Sequence, residues 1–509
     1  MHSRSYMYEN KSSESRRKER EEQQVELRSQ RRENLLNKKR TVVSSSNERI
    51  SDNLRIMKQK LMAQDMETLC KGVYEFRQLL STETHPPIQT VLDSGVLPRL
   101  VELLSRSCSA YKNGKEDLIY TVRLEAAWAV TNIASGSSEQ TNAVVTCGAI
   151  PLLVDMLGES KEDLVDQSVW ALGNIAGDSE PFRDMIINSG ATSLLLTLIE
   201  NILNNKAYIK ILRNCTWLLS NLNRGRTPEP PLEHIQMSIN MFNKLLNTDD
   251  SDILSDTLWA LGYIIDMSTD KTDMVLQIGI LERCKIFINA FLKRTSEYTI
   301  AKYCIPAIVR LLGNIVTGND DQTDKIIKEG FLPLLKKVFY SYTDDRKASK
   351  VKKEICWIMS NIAAGTDSQV QEIFDNGIIS MLSDAMRYEL FVKIEASYAI
   401  TNALSNIENN MDHLQFIFDD ELLEGIKESL EALDNTPHIQ ALILNTLDHG
   451  LEGSKKWAKV KGCPNPLIIK INENGIYDVI VKLQDSSDMK VNTIAEKIVD
   501  EYDNEINEL

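Results

Sequence analysis

The sequence of 509 residues has few of the residue patterns that usually carry catalytic chemistry. Its eight cysteines are scattered without a CxxC pair, which argues against a zinc site or a disulfide framework and indicates a reducing intracellular compartment. The six histidines, at positions 2, 85, 234, 413, 438 and 449, are dispersed. No P-loop, GxSxG, HExxH or glycine-rich dinucleotide motif occurs. We therefore expect no enzyme, no cofactor and no metal site.

Membrane and export signals are also missing. No run approaches the roughly 18 apolar residues of a membrane helix. The first 30 residues are basic and polar, unlike a secretory signal. With 42% hydrophobic and 26% charged residues, the composition is that of an ordinary soluble protein. We expect no membrane insertion.

What the sequence does contain is one phrase repeated along most of the chain. It places an asparagine four residues after a tryptophan, so both side chains share one face of a helix. Complete copies are Trp128 with Asn132, Trp170 with Asn174, Trp217 with Asn221 and Trp357 with Asn361; degenerate copies are Trp259 with Tyr263, Arg310 with Asn314 and Tyr398 with Asn402. The Asn positions are 41 to 51 residues apart, close to the period of about 40–47 residues of armadillo and HEAT arrays.

A second phrase precedes each copy. Glycine followed by apolar residues, often with proline, as in SGVLPRL and CGAIPLL, predicts that one helix ends and another begins. Glycines after the Trp-Asn phrase are predicted to be left-handed C-caps: Gly136, Gly177, Gly225, Gly318 and Gly365. Because one repeat cannot bury its own apolar face, we predict an all-α, right-handed superhelical solenoid with the Trp-Asn helices on its concave surface.

Charge is unevenly placed. Residues 1–60 hold 16 Lys and Arg against 9 Asp and Glu, whereas the rest of the chain carries −22. Residues 16–36 are predicted to be helical, followed by a basic cluster and a flexible linker from about 41 to 65. We expect a basic arm and linker at 1–60, repeats at 61–464, and a capping repeat with an acidic tail at 465–509. A solubility tail or a nucleic-acid arm is the alternative, but the acidic body would repel phosphates.

The repeated pair suits one ligand class. Asn amides can hydrogen-bond the backbone of an extended peptide, and Trp faces can pack against the stems and charges of Lys or Arg. A single Trp at helical spacing usually belongs to a core, but several buried Asn without partners would be costly. Tyr263 and Arg310 divide the array into two runs, from Trp128 to Asn221 and from Arg310 to Asn402.

These phrases and the arm resemble the importin-α (karyopherin-α) family over nearly the full length. The phrases are TNIASGSSEQT at 131–141, GNIAGD at 173–178 and GNIVTGNDDQT at 313–323, and the arm, with its VELR and basic triplet, lies at 16–40. The resemblance implies an adaptor whose groove binds nuclear-localisation signals at a major and a minor site. It also implies an arm that binds importin-β and folds back on the groove, a recycling exportin as a further partner, and shuttling between cytoplasm and nucleus.

The resemblance also assigns site residues. The major site would use Trp128, Asn132, Gly136, Thr141, Trp170, Asn174, Asp178, Trp217, Asn221, Asp256 and Trp259. The minor site would use Arg310, Asn314, Val316, Thr317, Glu354, Trp357, Ser360, Asn361, Glu395, Tyr398 and Asn402. The arm would bind importin-β, or occupy the groove, through Arg16, Arg17, Lys18, Arg28, Arg31, Arg32, Lys38, Lys39 and Arg40.

Two other binding proteins compete with this interpretation. An armadillo scaffold of the β-catenin kind would bind acidic peptides, which the charge of −22 disfavours. A karyopherin-like receptor acting alone would not need the basic arm with VELR.

Overall fold

The computed structural model describes residues 48–81, 86–112, 114–343, 347–404, 420–432 and 437–507. In these ranges the chain forms α-helices, two 3-10 turns and no strand, as predicted for an all-α fold. The helices belong to two compact units, one ending at Met267 and the other beginning at Ser268.

The helices of the first unit are α1 (Glu48–Leu61), α2 (Met66–Leu80), α3 (Ile88–Asp93), α4 (Leu97–Glu102), α5 (Glu116–Ile133), α6 (Ser138–Thr146), α7 (Ala149–Met156), α8 (Glu162–Asp178), α9 (Glu180–Asn188), α10 (Ala191–Ile202), α11 (Ile209–Leu222), α12 (Leu232–Leu245) and α13 (Ser251–Ile265). The 3-10 turns, Ser109–Tyr111 and Lys206–Tyr208, precede α5 and α11.

The helices of the second unit are α14 (Thr269–Gln277), α15 (Ile280–Lys293), α16 (Tyr298–Val316), α17 (Asp320–Lys328), α18 (Phe331–Ser341), α19 (Ala348–Ala363), α20 (Asp367–Asp375), α21 (Ile378–Ala385), α22 (Leu390–Leu404), α23 (Asp420–Ala432), α24 (Pro437–Lys461), α25 (Pro466–Glu473), α26 (Ile476–Leu483) and α27 (Met489–Asn507).

Most repeats consist of two short helices and one long helix, such as α6, α7 and α8. The long helices that carry the Trp-Asn phrase or its variants are named ladder helices: α5, α8, α11 and α13 in the first unit, and α16, α19 and α22 in the second. Consecutive ladder helices pack against each other within each unit. Val169, Leu172 and Ile175 of α8 are fully buried, and each such side chain contributes about 1.5–3 kcal/mol of transfer free energy.

The glycine between the two short helices has the predicted role of a helix stop and restart. Gly148 separates α6 from α7 with a φ of 79°, in the left-handed region that side chains disfavour. The same geometry recurs between other pairs of short helices, at Gly95, Gly190, Gly279, Gly330, Gly377 and Gly475.

Of the glycines predicted to be left-handed C-caps after the ladder helices, Gly225 is left-handed, with a φ of 91°, but the C-cap of α11 is Asn223, so the C-cap prediction was wrong there too. Gly177 lies inside α8. At Gly136, Gly318 and Gly365 a Cβ atom would come within 2.0, 1.9 and 1.8 Å of a glutamine Oε1. Those glycines therefore leave room for a side chain and do not reverse the backbone.

The glutamines in question begin the next short helix and also join repeats. Gln369 completes a capping box with Thr366 at the start of α20. Its Nε2 donates to the carbonyl of Asp320 (3.2 Å) and to Oδ1 of Asp324 (2.8 Å), both on α17 of the preceding repeat. Gln322 does the same toward Thr269 and Asp273. The DQT and DSQ phrases thus encode one cap and one contact between repeats.

The predicted flexible linker from 41 to 65 is wrong for its second half. Helix α1 spans Glu48–Leu61 and packs against α2. Leu54 and Leu61 are buried, and Lys58 donates from Nζ to the carbonyl of Ser94 at 2.6 Å. This helix was not predicted, because its few apolar residues at helical spacing stand among many polar ones.

One helix also corrects the expectation about membrane segments. In the described part of the chain, α16 is long and apolar enough by length and composition to cross a membrane, but 67% of that window is buried inside the structure. The pair α9 and α10 qualifies only if taken together, and it bends by 76°. Helix α16 is a ladder helix whose apolar residues pack against its neighbours.

Candidate peptide-binding site

Asn132, Asn174, Asn221, Asn314 and Asn361 of the repeated phrase are buried and Asn402 is half-buried. Several of these asparagines donate to the preceding ladder helix. Asn174 donates from Nδ2 to the carbonyl of Thr131 at 3.3 Å. Asn221 donates to the carbonyl of Gly173 at 3.0 Å, and Asn402 to that of Ser360 at 3.0 Å. In each case the acceptor immediately precedes the Asn of the previous copy in the chain. The expected cost of several buried Asn at this register therefore does not apply to Asn174 and Asn221, because each has a backbone acceptor.

This bond leaves part of each amide for other contacts. An Asn side chain has two N–H groups and one oxygen, and the bond to the preceding helix uses one N–H. The Oδ1 atom of Asn174 is buried and has no partner among the described residues. Two further asparagines differ: Asn132 donates to Oγ of Ser81 at 3.0 Å, and Asn361 to the carbonyl of Trp357 in its own helix at 2.9 Å.

Two ladder-helix tryptophans, Trp217 and Trp357, rest on a glycine of the preceding ladder helix. A Cβ atom on Gly173 would come within 2.2 Å of Cζ3 of Trp217, and one on Gly313 within 2.3 Å of Cζ3 of Trp357. Gly173 thus supports the ring of Trp217 and also accepts from the amide of Asn221, whereas Gly313 supports the ring of Trp357 alone and Asn361 donates within its own helix.

The rings differ in exposure. Trp128, Trp217 and Trp259 are partly exposed, whereas Trp170, Trp357 and Tyr398 are buried. The buried rings therefore belong in part to the core, as an isolated Trp at helical spacing usually does. The ring of Tyr263, which occupies an Asn position, stacks on that of Trp259 with centroids 6.3 Å apart.

Two rings carry an arginine from the preceding repeat. The Arg77 guanidinium of α2 lies 4.6 Å from the ring centroid of Trp128, and its Nε donates to Oε2 of Glu125 at 2.6 Å. Arg310 of α16 lies 5.5 Å from the ring of Trp357 and pairs with Glu354 at 2.7 Å. In both cases the carboxylate precedes the Trp by three residues.

Sequence reasoning identified Arg310 and Glu354 but missed Arg77 and Glu125. Helix α2 has no copy of the repeated phrase, so Arg77 gave no signal. Glu125 stands three residues before Trp128, as Glu354 does before Trp357, and that spacing could have singled it out.

The residues predicted beside Asp178 gather at the C-terminal ends of α5 and α8. Asp178 ends α8 and is partly exposed; its Oδ1 accepts from the hydroxyl of Ser138 at 2.9 Å. Thr141 is buried and donates to the carbonyl of Ala134 at 3.2 Å. Thr141 and Gly136 therefore shape the turn after α5, and Ser138 is a further polar neighbour of Asp178.

In the second unit several predicted residues lie inside the stack. Val316 is fully buried, and Thr317 donates to the carbonyl of Asn314 at 2.7 Å. Ser360 accepts from Asn402 through its hydroxyl oxygen at 3.2 Å. Glu395 is buried, as is Asp256 in the first unit. The nine predicted arm residues, between 16 and 40, lie outside the described residues.

One acidic group has metal-ligand spacing. Carboxylate oxygens of Asp448, Glu452 and Glu501 lie within 4.8 Å of one another. Lys497 donates from Nζ to Asp448 at 2.7 Å and to Glu452 at 3.1 Å. The hydrogen bond to Asp448 is the main cause of the raised pKa of Lys497. A lysine thus already supplies a cation to this cluster.

Comparisons with known proteins match both the repeats and the arm. A model of the importin beta binding domain matches residues 2–82, which include all nine arm residues. A model of the armadillo/beta-catenin-like repeat matches residues 137–177, the segment from the end of the α5–α6 turn through α8.

Curated relatives agree with these models. Importin subunit alpha-3 of Arabidopsis thaliana is 36% identical over 67% of this chain and 62% of its own length. Importin subunit alpha-1a of Oryza sativa subsp. japonica is 35% identical over 72% and 66%. Importin subunit alpha-B of Dictyostelium discoideum is 41% identical over 60% and 57%. The chain thus spans between half and two thirds of the length of the first relatives it matches.

A solved structure supports the fold. The crystal structure of an engineered protein superposes with a TM-score of 0.68, at 23% identity, over 89% of this chain and 98% of that one. At this identity the likeness concerns the fold alone. Together with the repeat model, it identifies each unit as a stack of armadillo repeats.

Proposed function

The chain belongs to the importin-α family, and from this premise we propose that it acts as a non-enzymatic nuclear-import adaptor. Its ladder helices bind Lys- and Arg-rich localisation signals in extended form. Its basic arm binds importin-β. It shuttles between cytoplasm and nucleus and returns by means of an exportin.

The observation that supports this proposal best is that asparagines of the ladder helices are held by hydrogen bonds to the preceding ladder helix. Asn174 and Asn221 are oriented by bonds to the preceding helix, so their remaining polar groups repeat at the spacing of the helices. A peptide backbone offers a donor and an acceptor at every residue, whatever its sequence. Partly exposed rings between the amides suit the stems and charges of Lys and Arg. Asp178, at the end of α8, provides a carboxylate for one ligand cation.

Asp178 gives the first test. In the full chain, Asp178→Lys should weaken binding of a fluorescent Lys-rich signal peptide by at least tenfold, because an attractive charge becomes repulsive. Asp155→Lys makes the same charge change at an exposed position of α7 and should alter affinity little. Equal effects of the two substitutions would show that only net charge matters. A Glu-rich peptide of the same length tests the scaffold alternative, and its tighter binding would overturn the proposal.

The second part of the proposal is autoinhibition. Lys38, Lys39 and Arg40 compete with cargo for the ladder of the first unit, and importin-β relieves the competition by binding the arm. Because helix α1 begins at Glu48, the connection comprises only residues 41–47, which can span at most about 25 Å when extended. A short tether gives an effective concentration on the order of millimolar where it can reach the site.

Replacing Lys38, Lys39 and Arg40 by alanine in the full chain tests this step. The variant should bind the signal peptide more tightly than the unmodified chain, and the difference should vanish when importin-β is present. Alanines at the exposed Lys456, Lys459 and Lys461 of α24 remove the same charge outside the arm and serve as the control. Unchanged affinity in the first variant would refute autoinhibition by this cluster.

A further inference from the structure

Arg77 forms a largely buried polar cluster that the proposed function leaves unexplained. Its guanidinium lies 4.6 Å from the ring centroids of both Trp128 and Tyr74. It is paired with Glu125, and both side chains are only 13% exposed. This is the geometry in which a basic ligand side chain would be held: a ring for the cation, a carboxylate for the charge, and little water.

The arginine approaches Trp128 from one side. Arg77 belongs to α2, which packs against α5. The next ring of the run, Trp170, belongs to α8, which is the other long helix that packs against α5. Farther along the same run the corresponding contact between helices is a hydrogen bond from an amide to a carboxylate: Asn214, three residues before Trp217, donates to Oδ1 of Asp166 at 2.6 Å. An arginine therefore marks the start of the run.

The second unit repeats the arrangement at the start of its own ladder. Arg310, on the first ladder helix of that unit, lies against Trp357 and pairs with Glu354. The carboxylate again precedes the tryptophan by three residues. Two occurrences with the same spacing indicate a recurring structural element.

We propose that Arg77 is a built-in occupant of the cation slot on Trp128 and closes the first run to basic ligand side chains at that end. It thereby limits how many consecutive Lys or Arg residues the run accepts. This inference rests on the proposed function of the run as a binding site for Lys- and Arg-rich peptides.

A ligand lysine cannot enter the slot, because the guanidinium already covers the ring and neutralises the carboxylate. In Arg77→Gln the ring becomes available and Glu125 remains as an unpaired, poorly hydrated carboxylate. Such a site should attract the cation of a longer peptide. Arg77→Lys keeps a positive charge in place and should keep the slot closed.

The test measures dissociation constants for the full chain with three fluorescent peptides. One has four lysines flanked by alanines, and the other two carry a fifth lysine at either the amino or the carboxyl end. In Arg77→Gln, the fifth lysine should improve affinity about tenfold at one end only, whereas in the unmodified chain it should add little at either end. The double variant Arg77→Gln with Glu125→Gln should lose most of this gain.

Arg99→Gln is the matched control, since it removes an arginine of α4 that is 16% exposed and is paired with Glu102. A gain of equal size in this control, or at both peptide ends, would overturn the inference and leave only a general effect of charge. Persistence of the full gain in the double variant would do the same. If the unmodified chain binds none of the three peptides, the proposed function fails, and the inference fails with it. Thermal unfolding of each variant confirms that the compared proteins are folded. The double variant leaves no unpaired carboxylate, so its unfolding temperature shows whether any loss of stability in Arg77→Gln comes from Glu125.

Discussion

The contact between Gly173 and Trp217 allows a test of how the ladder is assembled. In Gly173→Ala the new methyl group would lie 2.2, 2.6 and 3.0 Å from Cζ3, Cε3 and Cη2 of the Trp217 ring. Carbon atoms in contact normally stay about 3.5–4.0 Å apart. The ring or one of the two helices must therefore move by more than an ångström.

Two opposing effects determine the magnitude. Alanine is preferred over glycine inside a helix by about 1 kcal/mol, so an unobstructed substitution should stabilise the protein. Forcing an extra methyl group into a packed site costs about 1–3 kcal/mol and occasionally more. We expect a net loss of about 1–2 kcal/mol in the free energy of unfolding, measured by denaturant titration. Gly313→Ala, facing Trp357 at 2.3 Å in the second unit, should behave alike.

Gly158→Ala is the control, because the nearest atom would be the Asp155 carbonyl oxygen at an ordinary 3.6 Å. Its stability should change by less than about 0.5 kcal/mol. The double variant Gly173→Ala with Trp217→Phe should lose less than the sum of the single losses, since the smaller ring leaves space for the methyl group. If Gly173→Ala is as stable as Gly158→Ala, or if the double variant is additive, the ring does not rest on Gly173.

Three further predictions concern other contacts. Burial, helped by Arg183, lowers the pKa of His234 to about 4. The unfolded chain therefore binds more protons than the folded chain between pH 6.5 and 4, and the free energy of unfolding should fall by about 2 kcal/mol from pH 7 to pH 5. His234→Gln should reduce this loss, measured by thermal melts at the two pH values. Gln369→Ala removes a cap and a contact between repeats and should cost about 2–3 kcal/mol in denaturant titrations, whereas Gln371→Ala in the same helix should cost little. Asn221→Ala should lower stability by about 1–3 kcal/mol and also weaken signal-peptide binding, measured by fluorescence anisotropy.

The spacing of the Trp-Asn phrase predicted the ladder helices well, because a period near forty residues and a four-residue offset are both encoded locally. The role of the glycine before α7 could also be predicted, since glycine followed by an apolar run at helical spacing is typical of one helix ending and the next beginning. Contacts between repeats were not readable. The partner of Asn221 is 48 residues away in the chain, and nothing near Gly173 in the sequence indicates that a ring will lie on it.

Where local rules failed, a side chain from elsewhere had determined the structure. Gly136 looked like a C-cap, but the space beside it is occupied by Gln140. The segment 48–61 looked like a linker, because its polar residues hide the apolar positions that α2 buries. The candidate site shows the same limit: the phrase identified the rings and amides, whereas Arg77 became visible only when α2 was packed against α5.

The same contacts that join repeats also orient the predicted binding groups. Asn221 is held by the carbonyl of Gly173, and Trp217 rests on that same residue. One residue of the preceding repeat thus sets the position of both a ring and an amide in the next. A peptide bound along the ladder helices would pack on rings and amides whose spacing is fixed by the stacking of the repeats. Little ordering of these side chains would therefore be needed on binding. Substitutions that disturb the stack should therefore change peptide affinity as well as stability, even when the substituted residue, like Gly173, has no side chain to offer a ligand.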